Sequence, residues 1–332
     1  MNVFSRRTSR EVLIVGCGSL ACETIRDVAA HAQVLGAFSL RGEAVRADLP
    51  VPHLGRADEL AAYLALNPVD EVYLATDIGR HHKTLQTVVE VCECLGIPFA
   101  VPAHVFRLTR ALPRHARSVS DGYVHYRLTV SRPVEDAMKR VLDVVLAGAA
   151  LVALAPLLLM VAAAIKLTSK GPVFFAQVRV GLRGRYFSMF KFRSMVVDAE
   201  KRLADLMAQN EQTGPVFKMA RDPRITPIGR FLRAFSIDEL PQLFNILLGD
   251  MTIVGPRPPV PSEVSQYQPW QRRRLSVRPG LTCLWQVQGR NSIGFDEWML
   301  LDLQYVDQWS LTKDVGLIGR TVPVVVSGRG AS

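Results

Sequence analysis

Apolar runs of different period divide this chain. Glu11-Val12-Leu13-Ile14-Val15 followed by Gly16-Cys17-Gly18-Ser19-Leu20-Ala21 reads as a buried strand, a glycine turn and a helix start. Glu71 to Thr76 reads as a second strand, Leu85 to Leu95 has helical spacing, and Gly96 to Val101 reads as a third strand. Strands that alternate with helices predict a parallel α/β domain, Rossmann-like and spanning 1–111. From Leu112 to Pro133 the period is lost and Pro, Arg, His, Ser and Gly collect, which predicts a linker with one short strand at Tyr123 to Val130.

The next run is different in kind. Val144 to Ile165 is 22 consecutive residues without a charge or strongly polar group, and about 20 apolar residues suffice to cross a bilayer. Yet Lys139 and Arg140 precede it and Lys166 and Lys170 follow it, so both ends carry the charge that marks the cytoplasmic side. Pro156 stands near its middle, where it removes a helix hydrogen bond at a cost of about 3 kcal/mol. A kinked, re-entrant helix over 141–167 that enters and leaves on one face reconciles these facts. Hydropathy alone leaves a single-span anchor open.

Beyond it, Phe174 to Gly181 and Tyr186 to Met195 read as extended segments, Ala199 to Gln209 as a helix, and Leu240 to Leu247 as an apolar helix. Gln271 to Leu275 reads as a basic turn. Phe295 to Val306 reads as an amphipathic helix with Trp298, Leu301 and Tyr305 on one side. Trp285, Trp298 and Trp309 suit either a head-group interface or a core.

Composition narrows the function classes. Apolar residues are 49% of 332, which excludes a polytopic membrane protein, and 40 Lys+Arg against 30 Asp+Glu leave a net charge of +10. That surplus favours an anionic partner, whether lipid head groups, nucleotide phosphates or nucleic acid. The five cysteines show no metal-ligand spacing and fit a reducing compartment. Behind the basic Met1 to Arg10 the apolar stretch is too short for a signal peptide.

Two places carry candidate chemistry. Gly16, Gly18 and Ala21 match the dinucleotide fingerprint, but Phe38-Ser39-Leu40-Arg41-Gly42 lacks the carboxylate that would take a ribose, so a structural or regulatory module is favoured over nucleotide binding. The second place is Asp238-Glu239. Arg221, Arg224, Arg230 and Arg233 precede this pair and Pro256-Arg257-Pro258 follows it, and carboxylates ringed by guanidinium groups point to chemistry on a phosphate. In the first turn of a helix running to Leu247, the free N–H groups would hold the carboxylates ionised and attract phosphate. The plain alternative is a capping box, Ser236-x-x-Glu239.

The apolar dip and five motifs in fixed order decide between them. The apolar dip, Lys191-Phe192-Arg193-Ser194-Met195, Ser236-x-Asp238-Glu239-Leu240-Pro241-Gln242, Gly255-Pro256-Arg257-Pro258 and Pro279-Gly280-Leu281-Thr282 are followed by Tyr305-Val306-x-x-Trp309-Ser310-Leu311-x-x-Asp314. Over 134–332 the chain resembles the bacterial sugar transferase family, the monotopic polyprenol-phosphate phosphoglycosyl transferases. The α/β module resembles the one found in longer members, without their N-terminal transmembrane bundle. The resemblance implies a mostly helical monotopic catalytic domain and transfer of a sugar-1-phosphate from a UDP-sugar to undecaprenyl phosphate with release of UMP, initiating exopolysaccharide, O-antigen or capsule assembly. It implies Asp238 as nucleophile forming a phosphosugar ester, Glu239 as a holder of Mg²⁺, and Lys191, Arg193, Arg233 and Arg257 as phosphate contacts with Asp314 an accompanying carboxylate. It places the protein on the cytoplasmic face of a bacterial inner membrane among its lipids, with no nucleic-acid partner. The family's bend is commonly Ser-Pro; here it is Ala155-Pro156. A nucleotide-sugar oxidoreductase and a non-catalytic membrane adaptor are the competing readings. The sugar, the pathway and the oligomeric state, a homo-oligomer among the alternatives, stay open.

Overall fold

The computed structural model describes residues 10–102, 123–126, 133–207, 210–211, 214–217, 219, 222–288 and 294–326. They fall into two compact units, one within Met1–Val130 plus Gln268–Ser276 and one within Ser131–Tyr267 plus Val277–Ser332. Most of the expected linker lies outside the described residues, as does Arg221.

The first unit is built on β1 (Arg10–Val15), α1 (Ser19–Val28), β2 (Ala32–Ser39), β3 (His53–Arg56), α2 (Leu60–Leu66), β4 (Glu71–Leu74), α3 (Ile78–Leu95), β5 (Phe99–Pro102) and β6 (Tyr123–Tyr126). Its six strands run in the order β3-β2-β1-β4-β5-β6. β1 to β5 pair in parallel, which explains why β1 and β4 read as unbroken apolar runs: helices cover both faces of such strands. One face packs Leu13, Val15, Phe38, Leu74 and Leu85, the other Val12, Ile14, Ala21, Ile25 and Tyr73. The order reverses between β1 and β4, the usual crevice of an open α/β sheet.

The wholly parallel expectation needs correction, because β6 lies antiparallel on β5. Tyr126 stacks on Phe99 and the Tyr123 hydroxyl shares a 2.6 Å hydrogen bond with Thr24, so side-chain contacts add to the pairing that holds this edge strand. β3 and α2 were not legible in the pattern: His53-Leu54-Gly55-Arg56 is a half-exposed edge with a glycine at φ +139°. α3 begins seven residues before the apolar spacing does, because the Asp77 carboxylate caps it by accepting from Gly79 N–H while its first turns are exposed and polar. The basic turn at Gln271 to Leu275 belongs to this unit, where Arg272 donates at 2.7 Å to the Ala65 carbonyl near the end of α2.

The second unit opens with α4 (Pro133–Ala153) and α5 (Ala155–Thr168), which meet at 62°. Among the described residues no single helix is long and apolar enough to cross a membrane; the bent pair meets that test only jointly. The break is a consequence of Pro156, which sits in the first turn of α5, where its missing N–H is tolerated. Ala155 opens α5. Val144, Val145, Val152, Leu159, Met160 and Leu167 of the pair are exposed.

The polar base of α4 is anchored. Arg140 donates to the Ile246 and Leu247 carbonyls at 2.7 and 3.0 Å, and the Asp143 carboxylate accepts from the Thr252 hydroxyl at 2.6 Å and the Ile253 N–H at 3.0 Å. The remaining elements that frame the site are the hairpin β7 (Phe174–Val180) and β8 (Tyr186–Phe192), then α6 (Ala199–Leu206), α7 (Pro227–Ala234), α8 (Gln242–Leu248), and the short parallel pair β9 (Thr252–Val254) and β10 (Gly280–Thr282). Phe187 and Met189 of β8 pack with Ala147 of α4 and Leu243 and Ile246 of α8, whereas Phe192 packs with Ile165 of α5 and Leu232 of α7. The hairpin thus sits between both helices of the bent pair and the elements flanking Asp238.

Candidate active site

Three local features bring Asp238 and Glu239 to their positions. α7 starts at Thr226, whose hydroxyl accepts from Gly229 N–H at 3.0 Å. It rides directly on the Lys191–Met195 segment: a Cβ on Gly229 would stand 1.9 Å from the Ser194 carbonyl oxygen, so only glycine permits this approach. After Phe235 the chain reverses through Ser236 in the left-handed region at φ +54°, where non-glycine residues are uncommon. A single 3₁₀ turn, Ile237–Glu239, then carries both carboxylates.

The pair therefore precedes α8 and does not form its first turn. Pro241 is the reason: its ring clashes with the carbonyl four residues back, so a regular helix cannot run through it and begins at Gln242. The capping box is also absent. A cap residue needs extended backbone; left-handed Ser236 makes no cap bond, and the Glu239 carboxylate is engaged elsewhere.

Its partner is Lys191, on β8. Lys191 Nζ donates to Glu239 Oε1 at 2.7 Å, and Arg257 Nη1 lies 3.7 Å from the same oxygen. The Lys191 and Glu239 side chains are 15% and 18% exposed, and Asp238 is 5% exposed. Burial alone would raise the Glu239 carboxyl, but Lys191, Arg257 and Arg179 outweigh it and hold the group near 2. Asp238 goes the other way: burial, reinforced by the Glu239 charge, raises it above the usual range against Lys191 and Arg233. Two adjacent carboxyls are thereby driven apart, one permanently ionised and one retaining its proton more readily, a pattern that separates roles in active sites. Desolvation lowers Lys191, with Glu239 opposing.

Of the cations expected at phosphate, Lys191 and Arg257 meet at Glu239. Arg233 donates through Nε to Ser194 Oγ at 3.0 Å, and the charge of Asp238 is the foremost influence resisting the burial that lowers it. Arg193 is elsewhere. It is 6% exposed, and its guanidinium donates to the Lys170 carbonyl at 2.7 Å and to the Ser169 carbonyl and hydroxyl at 3.0 and 2.6 Å, closing the C-terminal end of α5. A Cβ on Gly171 would stand 2.0 Å from Arg193 Nη1. Asp314 is buried among Lys139 Nζ, the Tyr305 hydroxyl at 2.9 Å and Trp309 Nε1 at 3.0 Å, and it ties the helix Leu311–Val326 to α4.

The structure also adds residues that the sequence reading passed over. Arg179 and Gln177 lie on β7, on the face shared with Lys191 across the hairpin. A guanidinium inside Phe-Phe-Ala-Gln-Val-Arg-Val was the available signal. Asn245 of α8 is fully buried, accepting from Phe190 N–H at 2.9 Å and donating to the Ser188 carbonyl at 2.7 Å. It pairs with the free edge of β8 as a neighbouring strand would, and so fixes Lys191 relative to the carboxylates.

The family model for bacterial sugar transferases matches residues 134–328.

The chain belongs to the bacterial sugar transferase family.

It is 37% identical over 334 residues to the galactosyl transferase CpsE of Streptococcus agalactiae serotype III, covering 99% of this chain and 74% of the relative. It is 33% identical to the undecaprenyl-phosphate glucose phosphotransferase of Komagataeibacter xylinus, over 98% of this chain and 61% of the relative. It is 41% identical to the undecaprenyl-phosphate galactose phosphotransferase of Salmonella typhimurium, over 58% of this chain and 41% of the relative. Membership makes this chain a sugar-phosphate transferase, and the Asp238–Glu239 cluster lies inside the matched span.

Other sequence expectations of this sugar transferase settle differently. Trp285 is buried and stacks on the half-buried Trp298 at 4.3 Å between centroids, and the half-buried Trp309 donates to Asp314. In the first unit, the carboxylate missing from Phe38 to Gly42 comes one residue later: Glu43 accepts from Cys17 N–H at 2.9 Å and Leu40 N–H at 3.0 Å, directly beside the Gly16–Gly18 turn.

Proposed function

We propose that this sugar transferase moves a sugar-1-phosphate from a UDP-sugar to undecaprenyl phosphate, releasing UMP and initiating a cell-surface polysaccharide, through a covalent intermediate on Asp238. The observation that carries this reading is the opposed state of the two carboxyls: Glu239 locked as an anion by Lys191 and Arg257, and Asp238 beside it, buried, raised and without an ion pair as close as that of Glu239. A desolvated carboxylate is a stronger nucleophile than a salt-bridged one.

In the first step an Asp238 carboxylate oxygen attacks the sugar-bearing phosphorus. The bond from that phosphorus to the oxygen bridging the two phosphates breaks, UMP leaves, and a phosphosugar ester remains on Asp238. In the second step a phosphate oxygen of the lipid attacks the same phosphorus, the Asp238 ester bond breaks, and the carboxylate is restored. One anhydride is exchanged for another, so catalysis reduces to positioning and charge neutralisation. Lys191, Arg233 and Arg257 supply cations against an otherwise repelled anionic donor.

Mg²⁺ fits this donor set when it is shared with substrate. Glu239 and Asp238 offer hard oxygen ligands, and among the described residues no cluster of three or more His, Cys, Asp or Glu could hold a metal unaided. Mg²⁺ is commonly held by one or two carboxylates plus substrate phosphates and water. When bound it would neutralise charge on the pyrophosphate.

The lipid acceptor explains the bent pair. A phosphate tethered at the head-group layer requires the carboxylates at that layer, and α4–α5 entering and leaving on one face would put the hairpin and α8 there. We place the protein on the cytoplasmic face of the inner membrane on these grounds.

Intact mass of detergent-purified protein after incubation with a panel of UDP-sugars and Mg²⁺, without lipid, tests the reading. One added phosphosugar, absent in Asp238→Asn, supports it and identifies the sugar. Release of UMP only when lipid is present, with no adduct for any donor, removes Asp238 as nucleophile.

A further inference from the structure

In Pro256-Arg257-Pro258-Pro259 three residues of four are prolines without an N–H. Apart from the single amide of Arg257, the backbone of such a segment can hydrogen-bond only through its carbonyl oxygens. All three proline carbonyls are taken. Pro256 O accepts from Gly280 N–H at 2.9 Å, Pro259 O from Val180 N–H at 2.9 Å, and Pro258 O from Arg179 Nη1 at 2.9 Å.

Two of these donors are backbone groups at strand ends and one is a side chain. Arg179 is aimed by its neighbour two positions back: Gln177 Oε1 accepts from Arg179 Nε at 3.1 Å and from Nη2 at 2.6 Å. With that side of the fork occupied, Nη1 points at Pro258. Gln177 and Arg179 share one face of β7, opposite Met189 and Phe187 of β8 in a register that also sets Phe175 opposite Lys191.

We propose that Arg179, oriented by Gln177, is a positioning residue that clamps the proline segment and so presents Arg257 to Glu239 where the donor's pyrophosphate docks. This rests on the transfer reading above, and it deepens that site.

The clamp has an electrostatic cost that argues against a merely structural role. Arg179 is pushed down to about 10, first by desolvation and then by Arg257 itself. A neutral donor would hold a carbonyl without that repulsion. The planar fork instead serves Gln177 and Pro258 at once, which an ammonium on a flexible stem does not reproduce. Its charge also bears on Glu239.

A double-mutant cycle on the full chain tests this, with Arg179→Met, Arg257→Ala and the pair, reading donor KM and kcat for the UDP-sugar that turns over. Arg179→Met is expected to raise donor KM by about ten-fold in the parent and by less than about two-fold once Arg257 is alanine, the coupling typical of residues sharing one network. Arg179→Lys is expected to rescue little. Losses that multiply in the double variant would show that Arg179 acts independently of Arg257 and would overturn the proposal.

A second readout needs no turnover. Amide hydrogen exchange in peptides covering Val178–Gly181 and Gly280–Thr282 is expected to speed up in Arg179→Met and, if that variant folds poorly, in Gln177→Leu. Parent-like exchange in a folded variant would overturn the clamp. Parent protein that turns over no UDP-sugar would instead sink the transfer reading, and the exchange result would still decide on Arg179.

Discussion

Lys191 Nζ and Glu239 Oε1 are 2.7 Å apart, joined between β8 and the 3₁₀ turn before α8. The pair settles the charge of Glu239; the neighbouring Asp238 carboxyl is raised by its burial, with Lys191 opposing that rise and the Glu239 charge adding to it. The hairpin and the turn are 48 residues apart in sequence, so the state of the candidate nucleophile depends on a tertiary contact.

Removing the candidate nucleophile should separate activity from stability. Asp238→Asn is expected to lower turnover by at least about a thousand-fold, as losses of covalent nucleophiles do. Because burial raises this carboxyl, folding disfavours its charged form relative to the unfolded chain, and the melting temperature of the variant should not fall below that of the parent. A clearly lower melting temperature would show that the ionised group is a net stabiliser.

Glu239→Gln should behave in the opposite sense. A carboxyl held near 2 in the fold against 4.5 unfolded contributes stability that is complete above about 4.5 and is lost as pH falls towards 2. The variant should therefore melt lower at pH 7, by an amount of the order of 3 kcal/mol for one partner of a buried pair. The deficit should shrink as the pH is taken below about 4.5. A deficit that does not shrink as pH falls from about 4.5 towards about 2 would contradict the ion pair.

The acid limb of the pH profile reports Asp238. If its ionised form attacks, adduct formation in the parent should fall as pH drops through a value above the ordinary aspartate range. Since the charge of Glu239 contributes to that elevation, the limb should move to lower pH in Glu239→Gln, measured as the rate of phosphosugar adduct formation in single turnover. An unmoved limb would assign it to another group.

Arg193 discriminates between a phosphate contact and a helix closure. With its donors on Lys170 and Ser169, Arg193→Met is expected to cost about 1.5–3 kcal/mol of stability. Donor KM in the folded fraction should stay parent-like. A parent-like melting temperature with a raised KM would return Arg193 to the substrate.

Pro156→Ala restores the backbone N–H at the break between α4 and α5. It is expected to let part of the population straighten and span, carrying the first unit outward. Cys94 is exposed, so labelling of intact cells with a membrane-impermeant maleimide should rise from near zero in the parent to a measurable fraction in the variant. Equal labelling of the two proteins would show that Pro156 does not set topology.

Much of this protein was determined by its sequence alone, for identifiable reasons. Short apolar runs predicted β1, β4 and β5, because strands buried on both faces need no alternation. Pro156 in an uncharged run predicted a break, because proline lacks a donor wherever it stands. The resemblance carried by the ordered motifs placed Asp238, Glu239, Lys191, Arg193, Arg233, Arg257 and Asp314 in one candidate site. What required the tertiary structure was every property set by partners distant in sequence. Arg193 and Lys191 are two residues apart on one extended segment, yet the chain end of α5 claims the first and Glu239 the second. Asp238 and Glu239 are adjacent and chemically alike, yet burial and cations drive them in opposite directions. Arg179 reads as an oddity in an apolar strand until Pro258 is folded against it. Local pattern determines which backbone forms, since dihedral preference and periodicity are short-range; charge state and hydrogen-bond assignment depend on which groups the fold brings within a few ångströms of one another.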